Sequence, residues 1–323
     1  MKTLSILTAM LLGSMGVTAQ TQTTAYPNKP IKLLVGFASG GAADYVARTV
    51  GDALGRALGQ PIVIENRAGA GSSIAAEFVA KAAPDGYTVL IASPAAISVN
   101  PALNAKLSYS ARDLAPITKV TSSPLVIAAH PGSGINSVAD LIAKSKKAPG
   151  SLNYATSGNG SAPHLGAALF SQVARIQMVH IPFRGGGPAI QSVVAGDTQV
   201  TFGTPPSVLP MVLAGRLKGL AVSKRERSTL VPDLPGMAEA GLPDYAIEFW
   251  YGFFVPTGTS PAIIKKIFDA ATVVLQQPQV KAALAREGTE VSLSTSPEQF
   301  ATFLTEDAKF WVKLVKDADV KAE

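Results

Sequence analysis

Four short segments carry the residues whose types and spacing could do chemistry, and three of them share one syntax. In Ile31-Lys32-Leu33-Leu34-Val35-Gly36-Phe37, followed by Ala38-Ser39-Gly40-Gly41-Ala42-Ala43-Asp44, an apolar strand passes through small residues into the start of a helix. Such a turn aims backbone N–H groups and the positive end of a helix dipole at one point, which suits a carboxylate or a phosphate. Gly40-Gly41 would equally serve a tight turn with nothing bound. Ala155-Thr156-Ser157-Gly158-Asn159-Gly160-Ser161-Ala162-Pro163-His164 repeats the syntax, with Ser161 at the N-cap and Pro163 in the first turn. His164 is there either as a contact or as a packed structural imidazole. Ile181-Pro182-Phe183-Arg184-Gly185-Gly186-Gly187-Pro188 sets a guanidinium, which can fork onto a carboxylate, beside a Gly-rich turn. Phe249-Trp250-Tyr251 offers aromatic rings that either line a cleft or wedge a hinge.

Other chemistries fail at their specific part. Glu65 ends the second strand at about the distance a dinucleotide site needs, but the glycines are not spaced G-x-G-x-x-G. Phe37-Ala38-Ser39-Gly40-Gly41 approaches a nucleophile elbow with Phe where Gly is required, so an exported serine hydrolase using Ser39 stands as the rival reading. His130, His164 and His180 lack His-x-x-x-His spacing, there is no cysteine, and no Walker motif occurs, so neither metal nor cofactor is expected. The formal charge of +6 comes from 28 Lys+Arg against 22 Asp+Glu with no basic run, which favours small acidic ligands over nucleic acid.

These segments need a frame to hold them, and 323 residues at 47% hydrophobic suffice for two lobes with large cores. Residues 1–19 read as a cleaved export signal: Lys2, an apolar stretch Leu4 to Val17 too short to span a bilayer, then Val17-Thr18-Ala19, with Ala25 as an alternative cut. A soluble periplasmic protein is the expectation. Strand-like and helix-like runs then alternate, which predicts βαβ units and a mainly parallel sheet. Strands are expected at Ile31–Phe37, Pro61–Glu65, Tyr87–Ala92, Leu125–Ala129, Leu152–Ala155, Gln177–Ile181, Gln199–Phe202 and Gly219–Val222. Capping patterns at Ser137-x-x-Asp140, Ser260-Pro261 and Ser296-Pro297-Glu298-Gln299 open helices. Residues 26–124 form one lobe and 125–246 a second. The aromatic segment Phe249–Val255 returns the chain to the first lobe, which 247–323 complete, leaving a ligand cleft between the lobes.

An ordered set of motifs spans nearly the whole mature chain: Tyr26-Pro-Asn-Lys-Pro-Ile-Lys32, Val35-Gly-Phe-Ala-Ser-Gly-Gly-Ala-Ala-Asp44, Glu65-Asn-Arg-Ala-Gly-Ala-Gly71, Pro84-Asp-Gly-Tyr-Thr88, Asn153-Tyr154, Ser161-x-x-His164-Leu165, Arg184-Gly-Gly-Gly-Pro188, Gly215-Arg216-Leu217 and Trp250-x-Gly252. Together they resemble the Bug-type receptors, the periplasmic solute-binding proteins of tripartite tricarboxylate transporters. The resemblance implies an α/β, two-lobed periplasmic-binding fold of type II-like form that closes on a carboxylate and delivers it to membrane transporter components, as a non-enzymatic monomer. It also implies that Ser39, Gly40, Gly41, Ser157, Gly158 and Ser161 hold a ligand carboxylate, partly through water. Asp44, His164 and Arg184 flank those positions, and Phe37, Phe183 and Trp250 would suit a ring. Ser39 stands where the family usually has Pro, Gln191-Ser192 where Asp and an apolar residue are common, and Gly236 where Thr follows Pro. An unfamiliar far end of the ligand is therefore expected.

Overall fold

The computed structural model describes residues 26–104 and 106–317, so the expected export signal at 1–19 lies outside the described residues. Within them the chain builds β1 (Ile31–Val35), α1 (Ala42–Leu58), β2 (Ile62–Asn66), α2 (Ser73–Ala80), β3 (Thr88–Ala92), the short α3 (Asn100–Leu103) and the long β4 (Leu114–Pro124). It continues through β5 (Val126–Ala129), α4 (Val138–Lys147), β6 (Asn153–Thr156), α5 (Ala162–Ala174), β7 (Val179–Pro182), α6 (Gly186–Ala195), β8 (Val200–Gly203), α7 (Pro205–Leu213) and β9 (Lys218–Val222). It ends with β10 (Glu248–Pro256), α8 (Pro261–Leu275), α9 (Pro278–Arg286), β11 (Glu290–Val291) and α10 (Pro297–Asp317). Local rules account for the boundaries. In α1, Val46, Val50, Leu54 and Leu58 fall at helical spacing and are all buried, and Gly59 stops the helix in the left-handed region at φ 74°. Ser137 caps α4 by accepting from Asp140 N, as its pattern predicts.

Two mixed sheets result, ordered β11-β4-β10-β3-β1-β2 and β7-β6-β8-β5-β9. The expected parallel pairing holds for β2-β1-β3 and for β7-β6-β8, while β10 runs antiparallel to β3 and β4, and β5 antiparallel to β8 and β9. The reason is topological. β4 leaves the first sheet and β10 returns to it at the same place, so strands that lie side by side there must run in opposite directions.

That place is tied by one residue. Ser223, fully buried, donates its N–H to Leu125 O at 2.8 Å and its hydroxyl to Ile247 O at 2.5 Å. It also accepts from Leu125 N at its Oγ (2.7 Å) and from Ile247 N at its carbonyl (2.9 Å). The outgoing and returning chains are thus fastened to the end of β9. Beside it, Lys224 Nζ lies 3.0 Å from Glu248 and 3.6 Å from Glu290.

The segment Phe249–Val255, expected as a crossing, is a full strand, and its alternation decides the fate of Trp250. Phe249, Tyr251, Phe253 and Val255 face the core that includes Val46 and Val50 of α1 and Ile267 and Ala271 of α8. Trp250 and Phe254 face the opposite side, with Ala75, Val79 and Phe300 of α2 and α10. Trp250 is 2% exposed, its ring edge-on to Phe300 at 5.6 Å, and its Nε1 donates to Asp307 Oδ2 at 2.8 Å. Of its two readings, packing is the one realised. Burial pushes the Asp307 carboxyl up from its ordinary pKa, against the hydrogen bond from Trp250. Trp250→Phe keeps an aromatic ring but removes the Nε1 hydrogen bond to that carboxyl. The expected loss is about 1–3 kcal/mol, or roughly 2–10 °C in Tm, read by thermal denaturation. An unchanged Tm would mean that the hydrogen bond carries no stability.

Candidate functional site

β1 runs out into Gly36 and Phe37, and the chain then turns through Ala38–Gly41 into α1. Gly40 sits at φ 79°, a conformation that suits glycine, with open space where a side chain would be. Its N–H donates to Asp44 Oδ2 at 3.0 Å, and Arg48 Nε donates to the same oxygen at 2.9 Å. Asn66 Nδ2 donates to Phe37 O at 3.0 Å, and Asn66 Oδ1 accepts from Arg48 Nη2 at 3.3 Å. Burial alone would raise the Asp44 pKa, but the hydrogen bonds from Arg48, Gly40 and Asn66 outweigh it and hold the carboxyl below its ordinary value. Asp44 is therefore the clasp of the loop, and the Gly40 N–H is already used. The N–H groups of Gly41, Ala42 and Ala43, at the head of α1, have no acceptor within their own helix.

The second loop is held from behind. Ser161 Oγ donates to Gly158 O at 2.6 Å and accepts from His164 N at 3.4 Å, so it caps α5 and closes the turn together. His164 Nδ1 accepts from Gly160 N at 3.1 Å. The His164 ring stacks on His180, centroids 3.8 Å apart and planes 9° apart, and His180 Nε2 lies 2.6 Å from Thr156 Oγ1. Thr156 Oγ1 in turn accepts from Gly158 N at 3.2 Å.

Two adjoining cavities separate the loops. The inner one, about 20 Å³, is lined by Gly41, Ala42 and Ala43 at the start of α1, Pro163 of α5, Gly186 of α6, and Thr204 and Ser207 at the start of α7. Four helix N-termini thus meet in a space the size of about one water molecule. Phe37 and Ser157 belong to this gap and to an outer cavity of about 400 Å³. The outer cavity adds Gly69, Ser72, Ile74, Gly158, Asn159, Phe183 and Arg184. The Arg184 side chain is exposed and makes no ion pair among the described residues, while its carbonyl accepts from Ala38 N at 3.2 Å. That bond links the two lobes directly. The lobes also touch where Asn159 O abuts Gly71, whose loop Asn100 holds within the first lobe by donating from Nδ2 to Gly71 O and Ser73 Oγ, both at 2.8 Å.

Of the residues singled out from the sequence, the fold brings Phe37, Gly41, Ser157, Gly158, Phe183 and Arg184 to the cavities. Gly40, Asp44, Ser161 and His164 stand one step back and shape the loops. Ser39 is exposed, lines neither cavity, and its hydroxyl makes no hydrogen bond among the described residues. Trp250 lies across the sheet. Thr156, Thr204, Ser207 and Tyr251 line the inner gap and were not anticipated. For Thr204 and Ser207 the pattern was available: Val200–Gly203, then Thr204-Pro205-Pro206-Ser207, is the strand, small residue and Pro-headed helix syntax once more.

Comparison with known proteins gives a consistent result. A model of the tripartite tricarboxylate transporter family receptor, TctC, matches residues 46–320. BugT of Bordetella pertussis is 33% identical over 314 residues, covering 97% of this chain and 96% of its own. Among solved structures, R. palustris Rpa4515 with adipate superposes with a TM-score of 0.88 at 30% identity, covering 92% of this chain and 99% of that one. MatC from Rhodopseudomonas palustris with bound malate gives 0.85 at 31%, covering 90% and 100%.

The glycines facing Ala38 yield a test of closure. A Cβ on Gly185, at φ 150°, would stand 3.0 Å from Ala38 N and 3.1 Å from Ala38 Cβ. Gly185→Ala should push the lobes apart at this seam, giving a larger radius of gyration in small-angle scattering with the secondary structure kept. An unchanged radius would mean that the seam yields without opening.

Proposed function

The chain belongs to the TctC family of tripartite tricarboxylate transporter receptors, which are periplasmic solute-binding proteins, and on that footing we propose that it captures a small organic carboxylate between its lobes for delivery to the membrane components of such a transporter. The observation that carries this reading is the meeting of four helix N-termini in one small gap. Each offers an anion about 0.3–1 kcal/mol, and each charge-assisted hydrogen bond a further 1.5–3 or so, which leaves room for micromolar affinity after ordering costs. One carboxylate oxygen, or a water that bridges to it, takes the inner gap against Gly41, Ala42, Ala43 and Ser157. The body of the acid lies between Phe37 and Phe183, and its far end reaches toward Arg184. The relatives described with adipate and malate support an acid of this kind. The outer cavity of about 400 Å³ is within the range of small-molecule sites and suits an extended aliphatic or aromatic acid, with di- and tricarboxylates and acidic amino acids in the same class.

In this reading the protein is exported through its N-terminal signal, works as a monomer, and holds its ligand by hydrogen bonds with neither metal nor cofactor. No helix among the described residues is long and apolar enough to cross a membrane. A hydrolase using Ser39 would need a base hydrogen-bonded to that hydroxyl, whereas His164 and His180 are engaged with Gly160 and Thr156.

A thermal screen of citrate, malate, adipate, acidic amino acids and benzene carboxylates tests the class. Saturation near 100 times Kd should stabilise the protein by about 2.7 kcal/mol, a shift of several degrees. A screen with no shift for any acid would sink the carboxylate reading. Arg184→Gln should then weaken the best dicarboxylate by roughly tenfold or more by calorimetry, the worth of one charge-assisted hydrogen bond, while a monocarboxylate of the same length loses little. Equal losses for both acids would remove Arg184 from the far end.

A further inference from the structure

We propose that His164 and His180 are positioning residues for the bound acid: stacked on one another behind the Thr156–Gly160 loop, they set the ligand-facing edge of the second lobe through one hydrogen bond each. The proposal rests on the reading of that loop as one wall of the carboxylate site. Gly158 at φ 126° and Gly160 at φ 66° give the loop a backbone course that needs outside support. Both supports end on an imidazole. Gly160 N–H donates directly to His164 Nδ1, and Gly158 N–H donates to Thr156 Oγ1, which is itself 2.6 Å from His180 Nε2. Since His164 Nδ1 acts as an acceptor, it carries no proton. A proton there would set one N–H against another and break the bond to Gly160.

The surroundings favour the neutral pair. Tyr154 of β6 stacks on His180 at 5.1 Å, so His180 faces that phenol and the His164 imidazole, and His164 faces the His180 imidazole. Among the described residues no carboxylate, lysine or arginine pairs with either ring. Burial takes His164 down to about 4, and burial followed by the neighbouring His164 takes His180 down to about 3. The sign follows from linkage. With the loop open, the imidazoles bind protons below about pH 6.5, whereas the closed loop does not until pH 3–4, so closure weakens steadily as pH falls from about 6.5.

Amide hydrogen exchange of the full chain at pH 7 and pH 5, corrected for intrinsic rates and referred to strand β8, tests this without a ligand. Protection at Gly158–Gly160 should fall by roughly tenfold or more in the wild type between the two pH values. His164→Ala should lose protection already at pH 7. His164→Asn, which restores an acceptor that does not titrate, should recover it, and with His180→Gln added the pH dependence should flatten. Protection that is flat with pH in the wild type, unchanged by His164→Ala at pH 7, or still pH-dependent in the double variant would overturn the proposal. A chain whose loop behaves as expected but that binds none of the screened acids supports the positioning role and removes the carboxylate reading alone.

Discussion

Four helices begin at one small gap, and in two of them, α1 and α6, the leading N–H groups at Gly41, Ala42, Ala43 and Gly186 have no acceptor within their own helix; the rest of the site is organised around that constraint. A buried polar group left without a partner costs about 1–3 kcal/mol, so several aimed at one small space demand an occupant that accepts hydrogen bonds. They also demand that nothing else on the protein reach in to quench them. The loops are accordingly held by groups that act from outside the gap. Asp44, Arg48 and Asn66 clasp the first, and Ser161, His164 and the Thr156–His180 pair brace the second. Residues that would look like ligands in a list of polar side chains turn out to keep the ligand surface free.

The same constraint explains the glycines. Where the lobes meet, backbone approaches backbone: Gly41 lies against Gly186, and Gly185 and Gly187 lie against Ala38 and Ser39. Side chains at these positions would either hold the lobes apart or fill the gap. Gly186 is confined from the other side too, since a Cβ there would lie 2.6 Å from Ser207 Oγ. The seam is therefore both the closing surface and part of the wall.

Much of this was legible in the sequence. Strand, small residues and helix start recur at Phe37–Asp44, Thr156–His164 and Phe183–Pro188, and that syntax reports where amides will converge whatever the tertiary structure. Which side chains in such a loop face inward is a different matter. Ser39, Asp44 and Ser161 are each of a type suited to bind, and only the hydrogen-bond partners available in the fold assign them to solvent, clasp and cap. Trp250 and Tyr251 were separable in principle: recognising Phe249–Val255 as a strand would have put them on opposite faces, and the fold turns Tyr251 toward the cleft. The segment was hard to recognise because it is apolar on both sides, as a strand buried on both faces must be, so the alternation that marks a half-exposed strand is missing.

The knot at Ser223 has a consequence for how the chain acquires its structure. The first sheet is interrupted: β1 to β4 come early, but β10 and β11 arrive only after the whole of the second sheet has been made. β10 sits in the middle of the first sheet, between β3 and β4, so that sheet cannot close across its centre until nearly the entire polypeptide is present. The second sheet has no such gap and is contiguous from β5 to β9. Its contacts are closer along the chain and cost less loop entropy, so it is the unit suited to forming first. Its completion would bring Leu125 and Ile247 together at Ser223, turning a long-range pairing of β4 with β10 into a local one. The crossing at which the chain passes between its two sheets would then also be the place from which its larger half assembles.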